Sequence, residues 1–403
     1  MTADRKIVLA YSGGLDTSVA VRWLQEQYDA EIATLTSDLG GPVDLDGARK
    51  RALAIGAVRA DVLDAREEFV RDFVWPALQA GALYEGVYPL ATALGRPLIA
   101  KHLVRIAREE QAFAIAHGCT GKGNDQVRFD ISAAALAPQL KVIAPAREWG
   151  MGREEEIAYA RERDLPLDLS THSAYSVDEN LWGRSVEAGD LEDPWVEPPE
   201  EAYAWTVSAA AAPDEPKYVE VAFRAGVPIS IDGEELGGVA LIELLNQAAG
   251  SHGVGRIDHV ENRLVGIKSR EVYEAPGAVV LHQAHRALEQ LCLTKDQSRL
   301  KERLAQEYAD VVYNGLWFSG HRRDLDAYVA STQRHVSGTV RVRLHKGAST
   351  VVGRSSDESL YRHDLATYAS GDTFDQGASP GFIHLYGLPT RTQAERQGEA
   401  DAT

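Results

Sequence analysis

An α/β domain, then an α+β domain and a polar C-terminal tail helix, is the architecture this sequence predicts. Three observations carry the prediction. Short apolar runs first alternate with longer amphipathic ones. An acidic, proline-rich stretch then breaks that rhythm. Half-buried strands and two long amphipathic helices follow the break.

Lys6–Ala10 reads as a buried strand and Thr17–Gln27 as a helix. Glu31–Thr36, Val58–Leu63, Phe113–Ala116 and Lys141–Ile143 read as further strands. Asp46–Ile55, Ala65–Val74 and Arg96–Glu110 read as helices. Strands alternating with helices give a parallel sheet, and ligands bind such sheets at the carboxyl ends of the strands. The loops after Ala10, Thr36 and His117 are therefore the first places to look for a site. From Ser185 to Pro216 there is no Lys or Arg, whereas nine acids and five of the sixteen prolines fall there. This reads as a linker or an ordered surface excursion. Trp182, Trp195 and Trp205 flank or sit in it, so it is expected to pack against the body of the protein. Beyond it, Tyr218–Phe223 alternates apolar and polar residues as a half-buried strand should. Val279–Leu293 and Ser298–Val312 read as helices, and Val336–Leu344 and Ser349–Val352 as two strands joined at Lys346-Gly347. The tail from Pro389 is either a frayed end or a helix that needs a partner. The domains expected are 1–170, 171–362 and 363–403.

Composition bounds the function. With 42 Lys plus Arg against 60 Asp plus Glu, the net charge is −18. A broad nucleic-acid-binding surface is not expected, because phosphate backbones are held mainly by Lys and Arg. Two cysteines, Cys119 and Cys292, are too few for a disulfide framework or a Cys-rich zinc site. They fit a reducing compartment. The run Ile7–Ala10 is too short for a signal-peptide core. No stretch approaches the roughly 18 apolar residues of a membrane helix. A cytoplasmic protein without a membrane partner is expected.

The most informative segment is Ala10-Tyr11-Ser12-Gly13-Gly14-Leu15-Asp16-Thr17-Ser18, which follows a buried strand and opens a helix. Adjacent glycines let the backbone approach a ligand closely. The helix start offers unpaired N–H groups and a partial positive charge, and three hydroxyls add donors. The dipole contributes only about 0.3–1 kcal/mol at a surface. Charge-assisted hydrogen bonds contribute roughly 1.5–3 kcal/mol each, so a cradle of several donors can hold a pyrophosphate. The segment is neither a Gly-Lys-Ser/Thr phosphate loop nor Gly-x-Gly-x-x-Gly. The alternative is an ordinary strand–turn–helix connection with capping hydroxyls.

A second glycine-rich segment runs from His117 to Phe129 (His-Gly-Cys-Thr-Gly-Lys-Gly-Asn-Asp-Gln-Val-Arg-Phe). If a helix begins near Asn124, Asn124 and Arg128 share one face. Asp125 and Arg128 carry opposite charges and suit a small zwitterion: the carboxylate takes an ammonium, the guanidinium a carboxylate. The alternative is a surface salt bridge of about 0–1 kcal/mol.

Ser12–Ser18 resembles the pyrophosphate loop of the ATP pyrophosphatases, which cleave ATP to AMP and pyrophosphate. His117–Phe129 closely resembles the signature of the argininosuccinate synthases. The likeness continues through Ala82–Glu85, Arg96–Ala100, Leu136–Pro138 and Ser176–Trp182, and in the second domain through His252–Asp258, Val260–Arg263, Gly266–Arg270, Tyr273–Pro276 and Ser359–Tyr361. The resemblance implies an adenine nucleotide alpha hydrolase-like first domain and a homotetramer. It implies a ligase of arginine biosynthesis that uses ATP and Mg²⁺ to join L-citrulline to L-aspartate through citrullyl-AMP. By resemblance, Ala10, Tyr11, Ser12, Gly13, Gly14, Leu15, Asp16, Thr17, Ser18, Thr36 and Gly118 contact ATP. Thr120, Asn124 and Asp125 match aspartate-binding positions. Tyr88, Asn124, Arg128, Ser176, Ser185, Glu261 and Tyr273 match citrulline-binding positions. No protein ligand to a metal is assigned. Two departures stand out: Ala93 replaces a serine common in the family, and Gly41 a glutamine.

Other constellations point elsewhere. His282 and His285 have metal-ligand spacing on a helix but no accompanying Cys or carboxylate signature, so packing or surface roles are expected. Nothing near Cys119 except Lys122 lowers a thiol pKa, so no nucleophile is assigned there. A tRNA-thiolating enzyme of the same ATP-binding group would want a basic surface and working cysteines. A non-catalytic nucleotide sensor would have dispensed with Asp125, Arg128 or the loop glycines, and all are present.

Overall fold

The computed structural model describes residues 5–42, 44–167 and 175–398. The boundary expected at 170/171 lies outside them. Residues up to Glu358 form one compact unit, and those from Ser359 form a second.

Five parallel strands build the first sheet: β1 (Lys6–Ala10), β2 (Glu31–Asp38), β3 (Arg59–Asp64), β4 (Ala114–Ala116) and β5 (Lys141–Ile143). Their order is β3-β2-β1-β4-β5. The direction of winding reverses between β1 and β4, which opens a crevice beyond their carboxyl ends. Ile7 and Leu9 pack with Val21, Leu24 and Ala52 in one layer. Val8 packs with Leu103, Val104 and Phe129 in another. A strand covered on both faces needs apolar residues at every position, which is why Ile7-Val8-Leu9 is continuous rather than alternating.

The helices of this layer are α1 (Leu15–Tyr28), α2 (Leu45–Ile55), α3 (Ala91–Glu109), α4 (Asp125–Leu136) and α5 (Arg153–Glu162). Asp44 caps α2, its carboxylate accepting from the Gly47 N–H at 2.9 Å. α3 starts at Ala91 rather than at the expected Arg96. Proline favours a first helical turn, which suits a start beside Pro97. Burial of Ala91–Leu94 draws the preceding turn into the helix all the same. The helix expected over Ala65–Val74 is α-helical at Arg66–Phe69 and π-helical at Val70–Val74.

The remaining strands are β6 (Ser176–Asn180), β7 (Gly183–Glu187), β8 (Lys217–Arg224), β9 (Val227–Ile231), β10 (Glu234–Glu235), β11 (Arg256–Asn262), β12 (Lys268–Glu274), β13 (Gly338–His345) and β14 (Ala348–Ser355). They form two antiparallel sheets, ordered β11-β12-β7-β6 and β10-β9-β8-β13-β14. Helices α6 (Gly238–Gly250), α7 (Pro276–Cys292), α8 (Lys295–Tyr313) and α9 (Gly320–Gln333) pack with them.

Two expectations need correction. Ser185–Glu187 belong to β7, so the excursion starts later than expected. The rest is ordered by a buried carboxylate: Glu274 accepts from the backbone N–H groups of Ala204, Trp205 and Thr206 at 2.8, 2.9 and 2.8 Å. Trp182 is buried and Trp205 half-buried, but Trp195 is 94% exposed. Its turn is closed by local bonds, Val196 N–H to the Asp193 carbonyl (3.1 Å) and Trp195 N–H to Asp193 Oδ1 (2.9 Å), and needs no ring burial.

The second unit carries α10 (Ser379–Tyr386) and α11 (Leu388–Gln397), so the tail is helical. Phe382, Ile383, Leu385 and Tyr386 are each at least 64% exposed.

Candidate active site

A cavity of about 700 Å³ opens at the carboxyl ends of β1, β2 and β4. Ala10, Tyr11, Ser12, Gly13, Gly14, Leu15, Asp16 and Thr17 line it, together with Thr36 and Gly118. Gly13 has φ +82°, and a Cβ there would stand 3.1 Å from an Arg51 nitrogen, so the turn requires glycine. Arg51 donates to the Gly13 carbonyl. The Thr36 hydroxyl donates to the Tyr11 carbonyl at 2.9 Å and ties β2 to the loop. Ser18 is the exception among the loop residues. It is fully buried, pairs with the Tyr11 hydroxyl at 2.9 Å, and does not line the cavity.

The second glycine-rich segment is shaped from below. The His117 ring is buried, accepts the Cys119 N–H at Nδ1 (3.2 Å) and meets Asp130 at Nε2 (2.9 Å). Burial first, then the Asp125 charge, pushes the Cys119 thiol up, away from nucleophilic duty. Helix α4 does begin at Asp125, with Asn124 as its N-cap residue. Thr120 and Lys122 are exposed on the loop before it.

Asp125 is not alone with Arg128. Arg128 Nη1 donates to Asp125 Oδ1 at 2.8 Å, and Arg96 Nε donates to Oδ2 at 2.9 Å. Arg96 also pairs with Asp178, and both line the cavity. Burial opposes charge on Asp125, but Arg96 and Arg128 outweigh it and hold the carboxyl below its usual pKa. Asp178 goes the other way: burial, aided by the Asp125 charge, raises it against the pull of Arg96. Arg128 also donates from Nε to the Tyr313 carbonyl at 3.0 Å, and its Nη2 is buried without a hydrogen-bond partner.

From there the network reaches a tyrosine cluster. Asn124 Nδ2 donates to the Tyr313 hydroxyl at 2.7 Å, and that hydroxyl donates to Glu261 at 2.6 Å. Tyr273 donates to the other Glu261 oxygen at 2.5 Å. Tyr88 stacks on Tyr273 with centroids 4.1 Å apart and bonds Thr92 at 2.8 Å. Ser185 donates to the Asp178 carbonyl at 3.3 Å. Ser176 stands exposed at the start of β6, two residues from Asp178 and so on the same strand face.

The structure thus brings Asn124, Asp125, Arg128, Tyr88, Glu261 and Tyr273 into one connected network that abuts the cavity through Arg96 and Asp178. Sequence reading missed Arg96, Asp178 and Tyr313. Strand alternation from Ser176 was a usable signal for Asp178; nothing local marks Tyr313. The histidine pair lies elsewhere: His285 pairs with Gln333 at 2.8 Å, and burial pushes His282 down to about 3.

Comparison with known proteins decides the family. Residues 6–166 match the model of the Arginosuccinate synthase N-terminal HUP domain, and 175–393 that of the Arginosuccinate synthase C-terminal domain. An argininosuccinate synthase from Dehalococcoides mccartyi is 57% identical over 394 residues, 98% of this chain and 97% of that protein. The chain belongs to the argininosuccinate synthase family. Another argininosuccinate synthase, from Symbiobacterium thermophilum, is 58% identical over 396 residues, covering 98% of this chain and 99% of that protein. Membership in this family makes the chain a ligase of arginine biosynthesis. A solved U34-tRNA thiolase, NcsA from Methanococcus maripaludis, is 19% identical over 42% of this chain and 59% of that one, with a TM-score of 0.27. That likeness is too slight to carry the thiolating alternative. Among the described residues, no helix is long and apolar enough to cross a membrane.

Proposed function

We propose that this synthase condenses L-citrulline with L-aspartate through citrullyl-AMP, releasing AMP and pyrophosphate. One observation carries the reading: the phosphate-type cavity and the Asp125–Arg128–Glu261 network meet at Arg96 and Asp178. A nucleotide in the first would present its α-phosphorus toward amino acids held by the second.

ATP lies against Ala10–Thr17, Thr36 and Gly118, its phosphates on the turn at Gly13. Asn124 and Asp125, with Thr120, hold aspartate. Tyr88, Asn124, Arg128, Ser176, Ser185, Glu261 and Tyr273 hold citrulline. The partnerless Nη2 of Arg128 suits a substrate carboxylate, and the charge of Glu261 suits an ammonium. The ureido oxygen attacks the α-phosphorus, and the α–β bridging bond breaks with its electron pair on pyrophosphate. The aspartate amine then displaces AMP. Adenylation is needed because a ureido oxygen is a poor leaving group. Positioning and charge stabilisation do most of this work.

Mg²⁺ takes oxygen ligands, commonly one or two carboxylates plus substrate phosphates. Asp16, a carboxylate that lines the cavity at the turn of the loop, fits that donor set. When bound, the ion would neutralise phosphate charge. A cytoplasmic homotetramer completes the proposal. The exposed Phe382, Ile383, Leu385 and Tyr386 support assembly, and both cysteines are free. Deleting residues after Pro389 should lower the sedimentation mass; an unchanged mass would sink the role of the tail.

The function is tested by a drop-out assay with Mg²⁺-ATP, citrulline and aspartate. AMP and condensed product in equal amounts, only with both amino acids present, is the expected result. ATP binding with no AMP under any combination would overturn the reading.

A further inference from the structure

Neither glycine-rich segment accounts for two arginines on the cavity wall. Arg51 comes from α2 and donates to the Gly13 carbonyl at the turn of the loop. Arg153, the first residue of α5, lines the same cavity. Arg51 is held by a carbonyl rather than a carboxylate, and the Arg153 charge acts on the neighbouring Glu156 carboxyl, opposing the burial that raises it. In a chain with 60 acids and a net charge of −18, two guanidinium groups on one cavity call for a reason. The third arginine on that wall, Arg96, is held by Asp125 and Asp178. Helix α5 also sets the buried Glu156, one turn along from Arg153, near enough to Asp16 for each charge to act on the other.

The loop itself contributes backbone N–H groups, hydroxyls and a helix start, but no side-chain cation. Pyrophosphate carries more negative charge than AMP, and guanidinium groups pair with phosphate oxygens through two parallel bonds. We propose that Arg51 and Arg153 clamp the β- and γ-phosphates of ATP and hold the pyrophosphate as it leaves. The inference rests on the ATP reading above. Arg51 stabilises the turn in the free protein and reaches phosphate from the same place, while Arg153 stands at the cavity edge on the first turn of α5. The bond changes are those of the adenylation step. The arginines accept no proton; they meet the charge that appears on the leaving oxygen.

The test separates the two halves of the nucleotide. Mg²⁺-pyrophosphate and AMP are each titrated by calorimetry into the full-length wild type, Arg153→Ala, Arg51→Ala and Arg51→Lys. Pyrophosphate affinity should fall about 10- to 100-fold in each alanine variant, with AMP affinity largely kept. Arg51→Lys, which keeps a charge and a donor, should recover part of the loss. Equal loss of both ligands in Arg51→Ala, uncorrected in Arg51→Lys, would reduce Arg51 to a support for the turn and overturn the clamp. Pyrophosphate binding as tight in Arg153→Ala as in wild type would overturn it while leaving the ATP reading intact. Wild-type protein that binds neither ligand would sink the ATP reading as well.

Discussion

Along the cavity wall, Ala10 to Thr17 arrive consecutively and present mostly backbone donors at a strand end. Around Glu261, by contrast, Asn124, Tyr273 and Tyr313 converge from separate segments, with Tyr88 stacked behind. The two regions should fail differently. A backbone cradle tolerates the loss of one side chain, since its N–H groups remain. A convergent network does not, because removing one member strands a charge or a hydroxyl in a buried place.

The largest effect is expected at Asp125. Asp125→Ala would leave the buried Arg128 without its carboxylate and Arg96 with only Asp178, a loss of about 1–3 kcal/mol in stability for a part-buried pair. Aspartate-dependent turnover should drop roughly 30- to 1000-fold. Citrulline-dependent exchange of pyrophosphate into ATP should fall much less. If exchange falls as far as turnover, Asp125 does not belong to the aspartate site.

Glu261→Gln comes next. It keeps the shape but removes the charge that accepts from Tyr273 and Tyr313. A loss of about 1.5–3 kcal/mol is expected, seen as a citrulline KM raised roughly 10- to 100-fold with ATP KM little changed. Equal rises in both constants would mean that the cluster supports the fold rather than one substrate.

The same contrast explains what the sequence reveals. The loop after β1 was legible because its donors are neighbours and its strand is a continuous apolar run. Asp125 and Arg128 were legible as a pair because they lie one helical turn apart. Arg96 and Tyr313 were not, since their roles depend on α3 packing against α4 and on the end of α8 reaching Asn124 and Arg128, matters of tertiary contact that no local pattern records. The start of α3 was misplaced for a related reason: proline's preference for a first turn is weaker than the burial of Ala91–Leu94. Trp195 shows the reverse error, a large apolar ring left in solvent because its turn is already satisfied by Asp193.

A third prediction lies at the seam between loop and helix. Burial, reinforced by the Asp16 charge, pushes Glu156 up to about 8. The folded protein therefore prefers Glu156 protonated, and this contribution to stability is fully present below the ordinary glutamate pKa. It is lost progressively as pH rises from there through 8. Glu156→Gln cannot lose that proton. Its melting temperature relative to wild type should therefore rise between pH 6 and pH 9, by the equivalent of about 1–4 kcal/mol. A difference that does not change with pH would show that Glu156 keeps no raised pKa in the folded protein.

The smallest expected effect probes the loop's contiguity. Ser18 follows Thr17 directly, yet only Thr17 lines the cavity; Ser18 is buried behind it against the Tyr11 hydroxyl. Ser18→Ala should cost about 1 kcal/mol of stability, the worth of one neutral hydrogen bond. Thr17→Ala should instead act mainly on ATP affinity. Melting curves and ATP KM, measured on both variants, decide the matter. If ATP KM rises more in Ser18→Ala than in Thr17→Ala, the hydroxyl of Ser18 must turn from Tyr11 to phosphate when nucleotide binds. The loop would then be a cradle of side chains as well as backbone, and the contrast with the Glu261 cluster would be one of degree.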